Sequence, residues 1–388
     1  MNKQLIKSFA KFLNSKIFIL LAGFVIWTLI ISLWSFYPTV TFQRSIVYLG
    51  ILIVTAFITF IWYHHNRNYF GYFVLLNTII VSLSMISLFF NYPGDLWSRN
   101  NVEGFHSVFT HKNTYASLIL FTLPGILEKL FIPQNRYNYV ALSLVTLLLV
   151  TEYSLLFLSN SRASFISSLI ILLPILFLLS FKKYIMPILV LFFLLFIIVF
   201  SFSKEVRTAV SSYFNRGTNI LASRSELFLS SLHAAKEGGI TGIGFGISHP
   251  QILNNANGSH YDNGRYIREK GNSILALIEE VGIIGLALFF APIVFVFIQL
   301  LKLCLKYFQT NNTSQQLVKQ NFIRTFFHLS IISLFLNFII HSNFEAWMVG
   351  ISSVQMILFL SFLFSINIFL NVNLVYNNKN SVNLLLLS

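Results

Sequence analysis

The chain is written in apolar runs of near twenty residues joined by short polar stretches, and a single polar segment, 203–272, is much longer than a joint. Runs of that length match the hydrocarbon thickness of a bilayer at the helical rise of about 1.5 Å per residue. Lipid offers backbone N–H and C=O groups no water, so a span must be a helix or part of a closed barrel. Continuous apolarity, rather than short alternating segments, selects helices. The pattern predicts ten spans, at about 16–36, 45–63, 69–90, 114–132, 139–158, 164–181, 184–202, 273–301, 325–342 and 347–370. The expected fold is all-α, a polytopic helical membrane protein with seven spans in 1–202, one large loop over 203–272, and three spans with a tail in 273–388. Within the loop, Leu227, Phe228, Ser231, Leu232 and Ala235 recur near helical spacing. Ser223, with Glu226 three residues on, has capping-box register, so a helix is expected over about 224–237, ending at Gly238 and Gly239. The glycines at 242, 244 and 246 then form a tight-turning loop; without a third fingerprint glycine or a strand–turn–helix unit, it is no dinucleotide site.

Charge orients this pattern. Lys3, Lys7, Lys11 and Lys16 precede the first run, which lacks a small-residue cleavage site and so is expected to stay as a helix with a cytoplasmic N-terminus. Alternation then places Arg67, Lys129, Arg136, Lys182, Lys183, Lys302, Lys306, Lys319, Arg324 and Lys379 on the cytoplasmic side, and the C-terminus with them. Arg44, Arg99, Lys112 and Arg162 fall on the outer side, as does the long loop. The net charge of +14 is split over two faces with no basic helix or aromatic RNA-binding signature. Anionic lipid and lipid-linked phosphate are therefore the expected partners, and nucleic acid is not. A composition of 56% hydrophobic and 10% charged residues leaves no room for a soluble domain. Cys304 is the sole cysteine, which rules out an intramolecular disulfide or a thiolate metal cluster.

Four blocks, FTHKNTYASLILFTLPG (109–125), FLSNSRASFISSLIILL (157–173), SRSELFLSSLHAAKEGGITGIGFG (223–246) and GNSILALIEEVGIIG (271–285), resemble in this order the O-antigen ligase and O-antigen polymerase superfamily. The resemblance covers roughly the C-terminal two-thirds of the chain, and its force lies in order and topology. It implies a GT-C-like bundle in the bacterial inner membrane with one large periplasmic loop. It also implies a metal-independent, inverting glycosyltransferase without cofactor, moving a glycan from undecaprenyl diphosphate to an acceptor sugar hydroxyl at the periplasmic face. The acceptor is the lipid A core for a ligase, or a growing glycan for a repeat-unit polymerase; the ligase is the first expectation and the polymerase the second.

The matched positions supply the parts such a reaction needs. A departing diphosphate concentrates negative charge, and arginine offers planar, permanently charged, bidentate donors. Arg162, at the outer end of a span, and Arg224, at the start of the loop helix where backbone N–H groups also favour anions, are the expected clamp. Lys112 and Asn113 match another block and are expected at donor phosphate or sugar, with helix-end anchoring equally open. Arg265, Arg268 and Asn272 are further candidates for holding substrate, although loop cations such as Arg207, Arg216, Arg265, Arg268 and Lys270 commonly just solvate a loop.

One departure stands out. The ligase pattern begins its last block with His-Asn, and this chain has Gly271-Asn272, so the matched base is missing. Either a neighbour replaces it, with Glu269, Glu280, His260 and His249 as the candidates and Glu280 and His260 put forward as catalytic, or the reaction relies on positioning and leaving-group stabilisation without a base. Glu280 sits about two turns into a span, either as proton acceptor or as a structural partner of Arg162 or Arg224. Glu279 is expected to be its solvated neighbour. Glu152, also inside a span, is a functional candidate or an interhelical hydrogen-bond partner. His341 and Glu345 share a helix face if the ninth span continues that far. Trp27, Trp34, Trp62, Trp97 and Trp347 mostly fall near interfaces, as belt residues do. Two other classes compete: a transporter or flippase of lipid-linked glycan, which would place charges at mid-span, and a non-catalytic membrane scaffold.

Overall fold

The computed structural model describes residues 3–66, 69–90, 105–109, 112–131, 139–159, 161–180, 222–250, 270–309, 315–350 and 353–377. The helices are α1 (Lys3–Leu13), α2 (Lys16–Ile31), α3 (Pro38–Asn66), α4 (Gly71–Phe89), α5 (Lys112–Phe131), α6 (Tyr139–Leu158), α7 (Arg162–Ser180), α8 (Ala222–Gly238), α9 (Ser273–Gln309), α10 (Gln315–Ser342) and α11 (Val354–Asn377), with a 3-10 turn at Trp347–Val349. No strand occurs among the described residues. The protein is a polytopic helical membrane protein. Within α3, α4 and α9, the segments Pro38–His65, Gly71–Phe89 and Ser273–Leu305 are each long and apolar enough to cross a bilayer.

Most helices fall where apolar runs predict spans; the expected span at 184–202 lies outside the described residues. Four differences are informative. An extra helix, α1, precedes the first span and meets it at a 62° bend. Its Leu5, Phe9, Phe12 and Leu13 recur at helical spacing and pack on the core, leaving the lysines Lys7 and Lys11 more exposed. The last span starts later than expected, because 347–349 forms a 3-10 turn and the helix resumes at Val354. Ser223 lies inside the first turn of α8 rather than capping it.

The fourth difference organises the molecule. The run expected as one uninterrupted span from 273 breaks at Gly282, whose φ of 68° and ψ of −177° no helix contains. In an unbroken helix the N–H of Ile283 would reach Glu279 and that of Ile284 would reach Glu280. Here the glycine loop after α8 takes both rungs. Ile283 donates to the Gly239 carbonyl (3.1 Å) and Ile284 to that of Ile240 (3.2 Å). In return, the freed carbonyls of Glu279 and Glu280 accept from Ile243 and Gly244, both at 3.0 Å. The Val281 carbonyl accepts from the Trp27 indole at 2.8 Å. Trp34 donates to Gly242 of the same loop. These two tryptophans therefore hold irregular backbone rather than serving only as interface anchors.

The fit is backbone against backbone. A Cβ on Gly242, where φ is +83°, would lie 2.4 Å from the Glu280 carbonyl oxygen, and one on Gly282 would lie 2.2 Å from that of Ile240. Past the splice, the loop carries Phe245 into the bundle. Its ring lies 5.8 Å from that of Phe24, midway along α2, and 5.6 Å from that of Tyr48 on α3, all three fully or almost fully buried. Part of the segment expected as a loop outside the bundle is thus re-entrant. Irregular backbone at that depth is tolerated only where protein satisfies it.

Gly282→Ala should cost about 1–3 kcal/mol from backbone strain alone, plus the collision with Ile240. Gly23→Ala, in a helix with nothing within 4 Å of the added carbon, should be neutral or gain up to about 1 kcal/mol. Thermal melting of the two purified variants checks the contrast.

Candidate functional site

The chemistry-bearing residues gather at one end of the bundle, where α2, α4, α6 and α10 finish and α3, α5, α7, α9 and α11 begin. The segment between α10 and the 3-10 turn, His341-Ser342-Asn343-Phe344-Glu345, ties that end together. His341 Nε2 lies 3.0 Å from Ser164 Oγ in the first turn of α7, and Ser164 in turn contacts Ser161 Oγ just before that helix. Asn343 accepts from Asn272 Nδ2 at 3.1 Å. The Glu345 carbonyl accepts from Ser273 Oγ at 2.6 Å, and its carboxylate accepts from Asn113 Nδ2 at 2.7 Å. Five residues thereby fix the N-termini of α5, α7 and α9 relative to one another. Each such terminus carries a partial positive charge of roughly half a unit.

Arg162 is the first residue of α7 and is half-buried. Arg224 lies in the first turn of α8; its side chain is outside those described. Lys112 and Asn113 open α5, both half-buried. Asn272 caps α9, its Oδ1 accepting from the N–H groups of Ile274 (2.9 Å) and Leu275 (3.0 Å). The structure therefore brings Arg162, Lys112, Asn113 and Asn272 to one end of the bundle. His260, Arg265, Arg268 and Glu269 lie outside the described residues. His341 and Glu345 do not share a helix face, because α10 ends at Ser342; they act through the turn instead.

Glu280 has a different partner from the arginines expected. Its Oε1 lies 2.6 Å from Lys270 Nζ, and its Oε2 accepts from the Gly246 N–H at 2.6 Å. Glu279, expected in solvent, is fully buried; it pairs with Lys270 at 3.3 Å and accepts from the His249 N–H at 2.9 Å. Lys270 also donates to the Ile247 carbonyl at 2.8 Å. The two carboxylates thus grip the loop at 246–249 while their backbone carbonyls grip it at 243–244. Arg44 adds a hydrogen bond to the Gly246 carbonyl. Lys270 and Arg44 are accordingly structural cations, as buried charges demand. The available signal was two adjacent acids in an apolar run, which require a cation within reach, and Lys270 lies just before that run. At the neighbouring position, a Cβ on Gly271 would lie 3.2 Å from Leu227 Cβ of α8, so α8 packs where the related pattern has histidine.

Glu152 is buried in α6 and bonds to Asn77 of α4, whose amide also donates to Thr122 of α5 at 2.9 Å. It joins three helices away from the 341–345 turn. Among the described residues no group of three or more His, Cys, Asp or Glu side chains is placed to hold a metal ion.

Residues 142–290 match the family model described as O-antigen ligase. The matched span holds Arg162, α8, the glycine loop, Lys270 and the broken half of α9. No curated protein matches the chain.

Removing one partner of a buried ionic group leaves uncompensated charge and costs about 3–5 kcal/mol. Lys270→Met should lower the melting temperature of the purified protein accordingly, and the triple variant with Glu279→Gln and Glu280→Gln should recover most of the loss.

Proposed function

We propose that this chain, whose residues 142–290 carry the O-antigen ligase domain, transfers a glycan from undecaprenyl diphosphate to an acceptor sugar hydroxyl. The reaction takes place at the bundle end that bears the 341–345 turn, on the periplasmic side of the bacterial inner membrane. The observation that carries this reading is the convergence of three helix N-termini, one of them opening on Arg162, around a single polar turn. A glycosyl diphosphate breaks its anomeric C–O bond with the electron pair going to phosphate, so the barrier falls when fixed positive charge already faces the leaving oxygens. Arg162, Arg224 and Lys112, with the helix termini behind them, are that charge in this proposal, and Asn113 beside Lys112 meets the donor. The clamp needs no metal, since arginine pairs bidentately with phosphate oxygens.

In this proposal the acceptor is lipid A core, following the ligase description of the matched family model. A transport reading finds no support at the break in α9. Discontinuous helices in transporters present free backbone groups to a substrate or ion, whereas the N–H groups of Ile283 and Ile284 and the carbonyls of Glu279, Glu280 and Val281 all have protein partners. Both carboxylates are taken up by Lys270 and the loop.

Arg162→Ala and Arg224→Ala should each lower transfer by about 10²–10³-fold at unchanged membrane level, with Arg162→Lys intermediate; transfer retained in both alanine variants would sink the clamp. The lipopolysaccharide pattern of a deletion strain assigns the acceptor. Core-only glycolipid with accumulated long carrier-linked glycan means ligase, and core bearing a single repeat means polymerase.

A further inference from the structure

In the reaction proposed above the acceptor hydroxyl gives up a proton, and position 271, where the related pattern has histidine, is glycine. The acids within α9 cannot serve: Glu279 and Glu280 are both buried against Lys270. Glu152 is buried beside Asn77 among α4, α5 and α6. Glu237 is exposed on the last turn of α8, at the opposite end of that helix from Arg224. Among the described acidic side chains this leaves Glu345.

We propose that Glu345 is the general base of the transfer, an assignment that rests on the glycosyl-transfer reading. Its carboxylate hangs from the polar turn between the N-termini of α5 and α9. Oε1 accepts from Asn113 at 2.7 Å, while its own carbonyl is pinned by Ser273 at 2.6 Å. It is half-buried, so a hydroxyl can reach it, unlike the three buried acids. Among the described residues, Lys112, next to Asn113, and His341, at the end of α10, are titratable groups adjoining its contacts. The turn that carries it also holds Ser164, two residues after Arg162, through His341. Base and leaving-group clamp therefore share one rigid support.

In the step, the acceptor O–H proton passes to a Glu345 oxygen as the acceptor oxygen bonds to the anomeric carbon. The bond from that carbon to phosphate breaks, and its electron pair leaves on the carrier diphosphate facing Arg162 and Arg224. Glu345 then returns the proton to water. Atoms and charge balance without any further reactant.

The test uses the full chain, purified, with undecaprenyl-diphosphate-linked glycan and acceptor glycan. Glu345→Gln keeps an oxygen for Asn113 while removing the carboxylate's charge and its ability to accept a proton. It should lower kcat by about 10²–10⁴-fold with little change in KM, and abolish the acidic limb of the kcat–pH profile. Glu345→Asp should retain partial activity with that limb displaced. A purely structural Glu345 predicts near wild-type kcat for the glutamine variant, and that result overturns the proposal. If the glutamine variant fails to melt with wild type, the aspartate profile decides: a displaced limb supports the assignment and an unmoved one overturns it. Arg162→Ala in the same assay separates the two readings. Transfer lost there but kept in Glu345→Gln removes the base and leaves the enzyme; transfer kept in both, or absent from wild type, removes both.

Discussion

The fold depends on two helical hydrogen bonds that α9 does not make to itself. At Gly282 the ladder is cut, and the loop at 239–244 supplies both donors and both acceptors for the severed rungs, with Trp27 taking a third carbonyl. Each unsatisfied backbone group at membrane depth costs several kcal/mol, so five of them would consume the roughly 5–15 kcal/mol by which a domain is stable. Apolar burial cannot substitute, because lipid is as apolar as the side chains. The loop and the broken helix are necessary to each other, and the carboxylates of Glu279 and Glu280 extend the same grip to 246–249.

That grip determines where the polar end of the bundle can be. Because Lys270 is bound to both acids, the chain enters α9 at a fixed place, with Gly271 against α8 and Asn272 on the turn at Asn343. The same turn reaches α5 through Glu345 and α7 through His341. The residues 142–290 that match the O-antigen ligase model thus contribute α7, α8 and the start of α9, while α5 and the 341–345 turn come from outside the match. A match to the domain alone leaves out the residue that joins its helices.

Much of this was legible in the sequence. Apolar run length located most helices, because it reports the thickness of the surrounding medium directly. The 3.6-residue recurrence in SELFLSSLHAAK found α8 within two residues. The break at Gly282 was not visible, since a glycine inside an apolar helix looks like any tolerated small residue until its backbone partner is known. That partner lies some forty residues away in sequence, and no periodicity encodes it. The burial of Glu279 and the role of Lys270 were missed for the same reason: a charge at a loop end resembles a solvated one until the fold closes around it. The spacing of His341 and Glu345 suits a helical face, but the helix ends at Ser342, and what relates them is a turn with three separate anchors.

The direction of the splice carries one more consequence. Trp27, the loop at 239–249 and Lys270 all precede residues 279–284 in the chain. Synthesis runs from the N-terminus at about 5–20 residues per second. When the cut segment of α9 leaves the ribosome, every group that will bond to it has already been made, and the broken helix can enter the membrane against a waiting template rather than pass through the bilayer with its backbone open.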